Sequence, residues 1–128
     1  MSDNRERQII IENYVSAYNA FDVEKMLKDM DERVVFRNIS GGEVNLQTNG
    51  IDEFRKQAEE AKNLFSQREQ KITALKFGES QAEADISYRG TLAVDLPEGL
   101  KAGSEIALDG KSIFHFAGDK IIGIDDLS

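Results

Sequence analysis

The sequence predicts an α+β fold in which a cone-shaped, curved antiparallel sheet packs on three N-terminal helices and encloses a pocket. Three observations carry this expectation. Apolar residues recur at helical spacing through the first half, strict alternation takes over after Arg68, and glycine-containing turns divide the second half into long strands. Helices first and a meander of four strands after them place the helices on one sheet face. A sheet closing on them like a cone leaves a mouth for a ligand. At 128 residues the chain fits one domain, residues 1–128.

Asp3 is placed to cap the first helix, with Glu6 three residues on as its capping-box partner. Ile10, Tyr14, Ala17, Tyr18 and Phe21 then form an apolar stripe that Ile11 and Val15 widen. Asp22 caps a short second helix through Met26, Leu27 and Met30. Residues 33–39 (RVVFRNI) read as a strand; Gly41-Gly42 ends it, and a polar loop leads to Asn49-Gly50. Ile51, Phe54, Ala58, Ala61 and Phe65 line one face of a third helix, whose charged opposite face faces solvent. Residues 71–77 form the next strand. In the one after it Ala82, Ala84, Ile86 and Tyr88 alternate with Glu83, Asp85, Ser87 and Arg89, as in a half-buried antiparallel strand. A strand over 104–116 returns, with Asp109-Gly110 as a bulge position. Gly118-Asp119 then turns the chain into a last strand over 120–127.

Composition narrows the function. Sixteen basic against twenty-four acidic residues give a net charge of −8, which repels phosphate backbones and argues against nucleic acid as a partner. The absence of cysteine removes disulfides, thiolate metal sites and thiol nucleophiles, and makes the reducing cytosol the simplest compartment. A single histidine argues against zinc, so no metal and no cofactor are expected. The opening MSDNRERQ lacks the apolar core of a signal peptide, and no apolar run approaches the ~20 residues of a membrane helix.

Two segments resemble a known family. Residues 12–22 (ENYVSAYNAFD) are similar to the opening of ketosteroid isomerases and polyketide-cyclase-like (SnoaL-like) proteins of the nuclear transport factor 2-like superfamily. Residues 112–122 (SIFHFAGDKII) resemble their closing hairpin. In those isomerases a tyrosine of the first helix and a protonated acid donate hydrogen bonds to a developing enolate, while an aspartate on the first strand moves the proton. Position by position, the resemblance puts the tyrosine at Tyr14, the general base at Asn38 and the second donor at Ser112. An amide has no titratable proton near neutral pH, so Asn38 cannot be that base. Ser112 donates more weakly than a carboxylic acid. An acid at the end of the last strand resembles one that does acid–base work in polyketide-cyclase-like sequences, and here it is Asp126.

Strand parity indicates what faces the cavity. With Phe114 and Phe116 inward, Ser112 is inward and His115 points away; with Ile122 and Ile124 inward, Asp126 shares their side. The expected site therefore has Tyr14 and Asp126 as catalytic residues. Its ligand-binding wall consists of Asn38, Ser112, Phe36, Ala82, Ala84, Ile86, Phe114, Phe116 and Ile124. Alanines at 82 and 84 leave volume unless Phe36, Phe54 or Phe77 fills it. Blander roles stand beside these: Asp126 as a solvated carboxylate near the chain end, Tyr14 as a core tyrosine, Asn38 as a backbone-bonding strand residue, Tyr18 and Tyr88 as structural. Arg37 and Arg89 fall on the outer side with carboxylates such as Asp85 in reach. Glu83 and Asp85 form a solvated or dimer-facing stripe, and His115 belongs to solvent or an interface. Two functions follow: an acid–base enzyme of isomerase, cyclase or dehydratase type acting on a small apolar carbonyl- or ring-containing molecule, or a non-catalytic dimeric ligand-binding or assembly module. Either takes a small apolar molecule, and a homodimer through the outer sheet face.

Overall fold

The computed structural model describes residues 4–128; the Asp3 cap lies outside the described residues. Helix α1 (Asn4–Asn19) buries Ile10, Ile11, Tyr14, Val15 and Ala17, the stripe expected from the sequence. Helix α2 (Val23–Leu27) is capped by the Asp22 side chain, which accepts from the Lys25 backbone N–H at 3.2 Å. Met30 begins strand β1 (Met30–Ser40) instead of ending α2. After it come β2 (Glu43–Asn49), α3 (Ile51–Lys62), β3 (Phe65–Phe77), β4 (Gln81–Leu92), a single 3₁₀ turn at Pro97–Gly99, β5 (Glu105–Ala117) and β6 (Lys120–Leu127).

The expected cone-shaped, curved sheet on three consecutive N-terminal helices is overturned. Six strands lie side by side in the order β2-β1-β6-β5-β4-β3, so β2 and β3 are open edges and the sheet is neither closed nor strongly curled. Only two helices precede the sheet, because β1 and β2 intervene before α3. The segment expected to be a polar loop is β2. Gly41 and Gly42 have φ of 61° and 83°, the positive values a tight hairpin turn demands, and they fold β2 back on β1. The pairing that broadens the sheet is parallel: β6 inserts beside β1, with Phe36 opposite Ile124 and Asn38 opposite Asp126. No bulge occurs at Asp109-Gly110, where β4 and β5 pair without a break. The irregularity falls between His115 and Phe116 opposite Gly123 and Ile121, which drops Ile122 out of the ladder. Ile121 (1% exposed) therefore takes the core position expected of Ile122.

Helix α1 covers one face of the sheet and is fastened at both ends. Near its start, Arg7 donates to the carbonyls of Glu79 (2.9 Å) and Gly118 (3.4 Å), with its guanidinium 5.0 Å from the centre of the Phe116 ring. Near its end, the Asn19 side chain donates to the Gln70 carbonyl at 3.0 Å and accepts from the Gln70 N–H at 2.7 Å, extending the β3 ladder with an amide. Between these anchors Tyr14 packs edge-on against Phe114, centroids 5.7 Å apart. Ile11, Val34, Ala82, Ala84, Phe114, Ile121 and Ile124 form the driest part of the core.

Phe114, 1% exposed and at the middle of this face, tests the packing. Phe114→Ala should lower the urea-unfolding free energy by about 3–5 kcal/mol, the usual cost of truncating a buried aromatic. An unchanged midpoint would show that the helices do not pack here.

Candidate active site

Strand pairing assembles the site before any side chain is considered. Reading across the covered face, Leu46 lies opposite Asn38, Asn38 opposite Asp126, Asp126 opposite Ser112, and Ser112 opposite Ala84. Directly paired residues project to the same face, so three polar groups from β1, β6 and β5 stand in one row. The Ser112 hydroxyl donates to Asp126 Oδ1 at 2.7 Å. Ser112 is buried, Asp126 half-buried, and Asn38 exposed at the rim.

Two adjoining chambers meet at this row. The inner one, about 180 Å³, lies under the helices and is lined by Tyr14, Phe36, Asn38, Phe54, Arg68 and Asp126, among others. The outer one, about 310 Å³, opens between the far ends of β4, β5 and β6 and includes Ile86, Tyr88, Lys111, Ser112 and Asp126. Tyr18, Asn38, Gln70 and Asp126 belong to both. Phe36 and Phe54, edge-on with centroids 5.5 Å apart, narrow the inner chamber without filling it. Gly110, on the wall of the outer one, admits no side chain: a Cβ there would lie 2.8 Å from the Leu127 carbonyl oxygen, closer than two such atoms approach.

Burial pushes the Asp126 carboxyl up to about 6; the neighbouring charge of Asp125 adds to the rise, and the Ser112 hydrogen bond opposes it. A carboxyl in this range exchanges protons near neutrality. Burial likewise drives the Tyr14 hydroxyl well above its ordinary range, with the Asp126 charge raising it further and the Arg68 charge opposing. Tyr14 therefore stays protonated and can only offer a hydrogen bond, never a base. On the other face Asp125 behaves oppositely. Burial raises its pKa, but a bidentate pair with Arg37 (2.8 and 2.9 Å) and a contact with His115 (3.0 Å) outweigh that and leave it lowered.

Of the residues expected in the site, Tyr14, Phe36, Asn38, Ile86, Ser112 and Asp126 line one or both chambers. Ala82, Ala84, Phe114, Phe116 and Ile124 lie in the core behind the row, each no more than 4% exposed, and line neither chamber. Arg37 meets Asp125 in place of Asp85, and Lys111 is the cation beside Glu83 and Asp85. Tyr18 and Tyr88 share a 3.0 Å hydroxyl–hydroxyl hydrogen bond at the outer chamber wall. Arg68 and Gln70 were not anticipated, although their parity with Ile72 on β3 turns them inward. Among the described residues no cluster of three or more His, Asp or Glu could hold a metal ion, and no helix is long and apolar enough to cross a membrane.

Helices laid on one face of a six-stranded sheet give the chain the ketosteroid isomerase-like, nuclear transport factor 2-like class of fold that its sequence resembles. Within it the chain belongs to the SnoaL-like domain family, whose model matches residues 11–124. Among solved structures it is similar to a candidate polyketide cyclase from Xanthomonas campestris pv. campestris (16% identity, 99% of this chain and 93% of the other, TM-score 0.83). It is also similar to AclR, a candidate hydroxylase from Streptomyces galilaeus (15% identity, 97% and 89%, TM-score 0.77). A third is a protein of ketosteroid isomerase-like fold from Catenulispora acidiphila, in complex with trimethylamine (11% identity, 91% and 82%, TM-score 0.76). At these identities the likeness is one of fold. No curated protein matches the sequence.

The raised Asp126 pKa has a consequence for stability. A carboxyl that titrates at about 6 when folded and at 3.8 otherwise holds an extra proton in the folded chain between those values. Its favourable contribution is thus complete below about 3.8 and is lost as pH rises through about 6. The difference corresponds to roughly 3 kcal/mol. Asp126→Asn keeps the shape and an acceptor for Ser112 without the charge. It should leave stability at pH ~4 nearly unchanged and raise it at pH ~8 by roughly 2–3 kcal/mol. Chemical denaturation at the two pH values checks this, and equal effects at both would mean that residue 126 is not desolvated.

Proposed function

We propose that this chain binds a small, largely apolar carbonyl- or ring-containing molecule and moves a proton on it with Asp126. The observation that carries the reading is the seating of Asp126. It is buried enough to titrate at about 6, held by Ser112, and placed where both chambers meet within the electrostatic reach of Tyr14. In the ionised form Asp126 accepts a proton from carbon next to the carbonyl. The negative charge passes to the carbonyl oxygen, where the Tyr14 hydroxyl donates a hydrogen bond. Asp126 then returns the proton at another position or to a departing group. Asn38, at the rim, and Ser112 orient the ligand and the acid. An isomerase, cyclase or dehydratase reaction fits this sequence of steps, and the candidate polyketide cyclase of similar fold supports it by analogy.

A second reading is a binding or assembly module without chemistry. The amide at position 38, on the row where an acid would serve as base, favours it. Both readings place the chain in the cytosol as a homodimer through the outer sheet face, where Arg37, Asp125 and His115 form a charged network.

Turnover of a panel of activated ketones and cyclic enols separates the two. The wild-type rate should rise with pH through about 6. Asp126→Ala should lose about 10²–10⁴-fold, the usual cost of removing a positioned base. Equal turnover by Asp126→Ala would refute the catalytic role, and a copurifying apolar ligand without turnover would favour the module. Native mass spectrometry should find a dimer, and a monomer at all accessible concentrations would remove the outer face as an interface.

A further inference from the structure

Arg68 is a cation lining the inner chamber with no carboxylate partner among the described residues. The residue is 7% exposed, and its Nη2 is fully buried without a hydrogen-bond partner among the described residues. One donor is used: Nε gives a hydrogen bond to the Tyr18 carbonyl at 3.0 Å, near the C-terminal end of α1. The guanidinium is also stacked 3.7 Å from the centre of the Tyr18 ring and 4.6 Å from that of Phe21. Phe21 is the only described non-glycine residue with positive φ, at 59°, so an unusual backbone conformation holds one of these rings in place.

The other arginines mark the contrast. Arg37 pairs with Asp125, Arg33 with Asp31, and Arg55 with Glu24 and Asp52. Arg7, 9% exposed and likewise without a carboxylate, gives both terminal nitrogens to carbonyls and leaves only its Nε unpartnered. Arg68 has no carboxylate within 4.0 Å among the described residues, although Asp126 lines the same chamber. The two charges stand apart with Tyr14 between their influences: the acid raises the Tyr14 hydroxyl and the arginine lowers it. Aromatic stacking and one carbonyl lessen the cost of burying a cation but do not replace an anion. Arg68 also forms a wall of a polar recess toward β5, with Gln67, Glu69 and Arg89, so it stands between that recess and the inner chamber.

We infer that the chamber takes a ligand bearing an anionic oxygen, a carboxylate or a stabilised enolate, and that Arg68 is its receptor. The inference rests on the ligand-binding chamber of the proposed function and adds the charge of what occupies it. A planar guanidinium recognises such oxygens through its N–H donors, and no carboxylate of the described fold occupies those of Arg68, which lines the chamber. With the anion held at Arg68, the apolar body of the ligand lies against Phe36, Phe54 and Tyr14, and its reacting carbon is turned toward Asp126.

Calorimetric titration of the full chain with 2-naphthoate and its neutral isostere 2-naphthamide tests this, at about pH 5.5, where the probe acid is ionised and Asp126 is largely protonated. The wild-type chain should bind the carboxylate at least about tenfold more tightly than the amide. Arg68→Gln should erase that preference while leaving amide affinity within about twofold, and Arg68→Lys should retain part of it. A role confined to holding Tyr18 and Phe21 would weaken both probes together and leave their ratio unchanged. If Arg68→Gln does not fold, the wild-type ratio and the lysine variant decide. Equal binding of the two probes by the wild type, or a preference that survives Arg68→Gln, overturns the inference and leaves the role of Asp126 standing. Failure of both probes to bind overturns the ligand chamber itself, and this inference with it.

Discussion

The seating of β6 between β1 and β5 determines the covered face. A strand held on both sides cannot slide, and a slip of one residue would exchange its two faces. Here that exchange would bring Asp125 inward and send Asp126 out. The irregularity that expels Ile122 fixes the register, since Gly123 and Ile121 must answer His115 and Phe116 across it. Two adjacent carboxyls then have opposite environments. Asp125 meets Arg37 and His115 on the outer face and is held low, whereas Asp126 meets only a serine hydroxyl and is pushed up. Their different chemistry originates in strand pairing, before any ligand is considered.

Local periodicity made much of this legible. The α1 stripe over residues 10–18, the α3 stripe over 51–61, the alternation from Ala82 to Arg89 and the bounds of β6 appear in the structure where residue spacing puts them. Phe21, by contrast, lies beyond α1, and Phe65, read as the last of the α3 stripe, opens β3. What periodicity could not supply was lateral order. Strand β2 is an edge strand whose side chains are mostly solvated, so Asn45, Gln47 and Asn49 read as a loop; polarity of this kind is also what keeps an open edge from pairing with another chain. Once β2 lies outside β1 and β6 lies inside it, the sheet widens and does not wrap. The cone was an inference from element order, and element order does not encode which strands are neighbours.

The site was legible to a similar depth. Parity and the family resemblance together pointed to Asn38, Ser112 and Asp126, which strand pairing sets in one row. The apolar wall was less accurate. Ala82, Ala84, Phe114, Phe116 and Ile124 do face inward, but facing inward and lining a cavity are different conditions, and these five are closed into the buried core. Arg68 shows a third kind of limit. Its inward parity is written in the sequence, yet its interest lies in the partner it lacks, and a missing partner is a property of three-dimensional surroundings alone.

Arg68 and Asp126 together say something about the purpose of the interior. A fold selected for stability alone would bring two buried opposite charges into contact or replace both with apolar side chains, and either change is commonly neutral or favourable. This chain does neither. It spends several backbone-directed contacts, the Asn19 amide on β3 and the Arg68 bond to Tyr18, on holding the end of α1 where the arginine remains apart from the acid. A rigid frame around an arginine and an acid kept apart is a poor way to fill a core. It suits the proposed holding of a polar molecule in one orientation, because the penalty of burying the arginine has already been met when the ligand arrives.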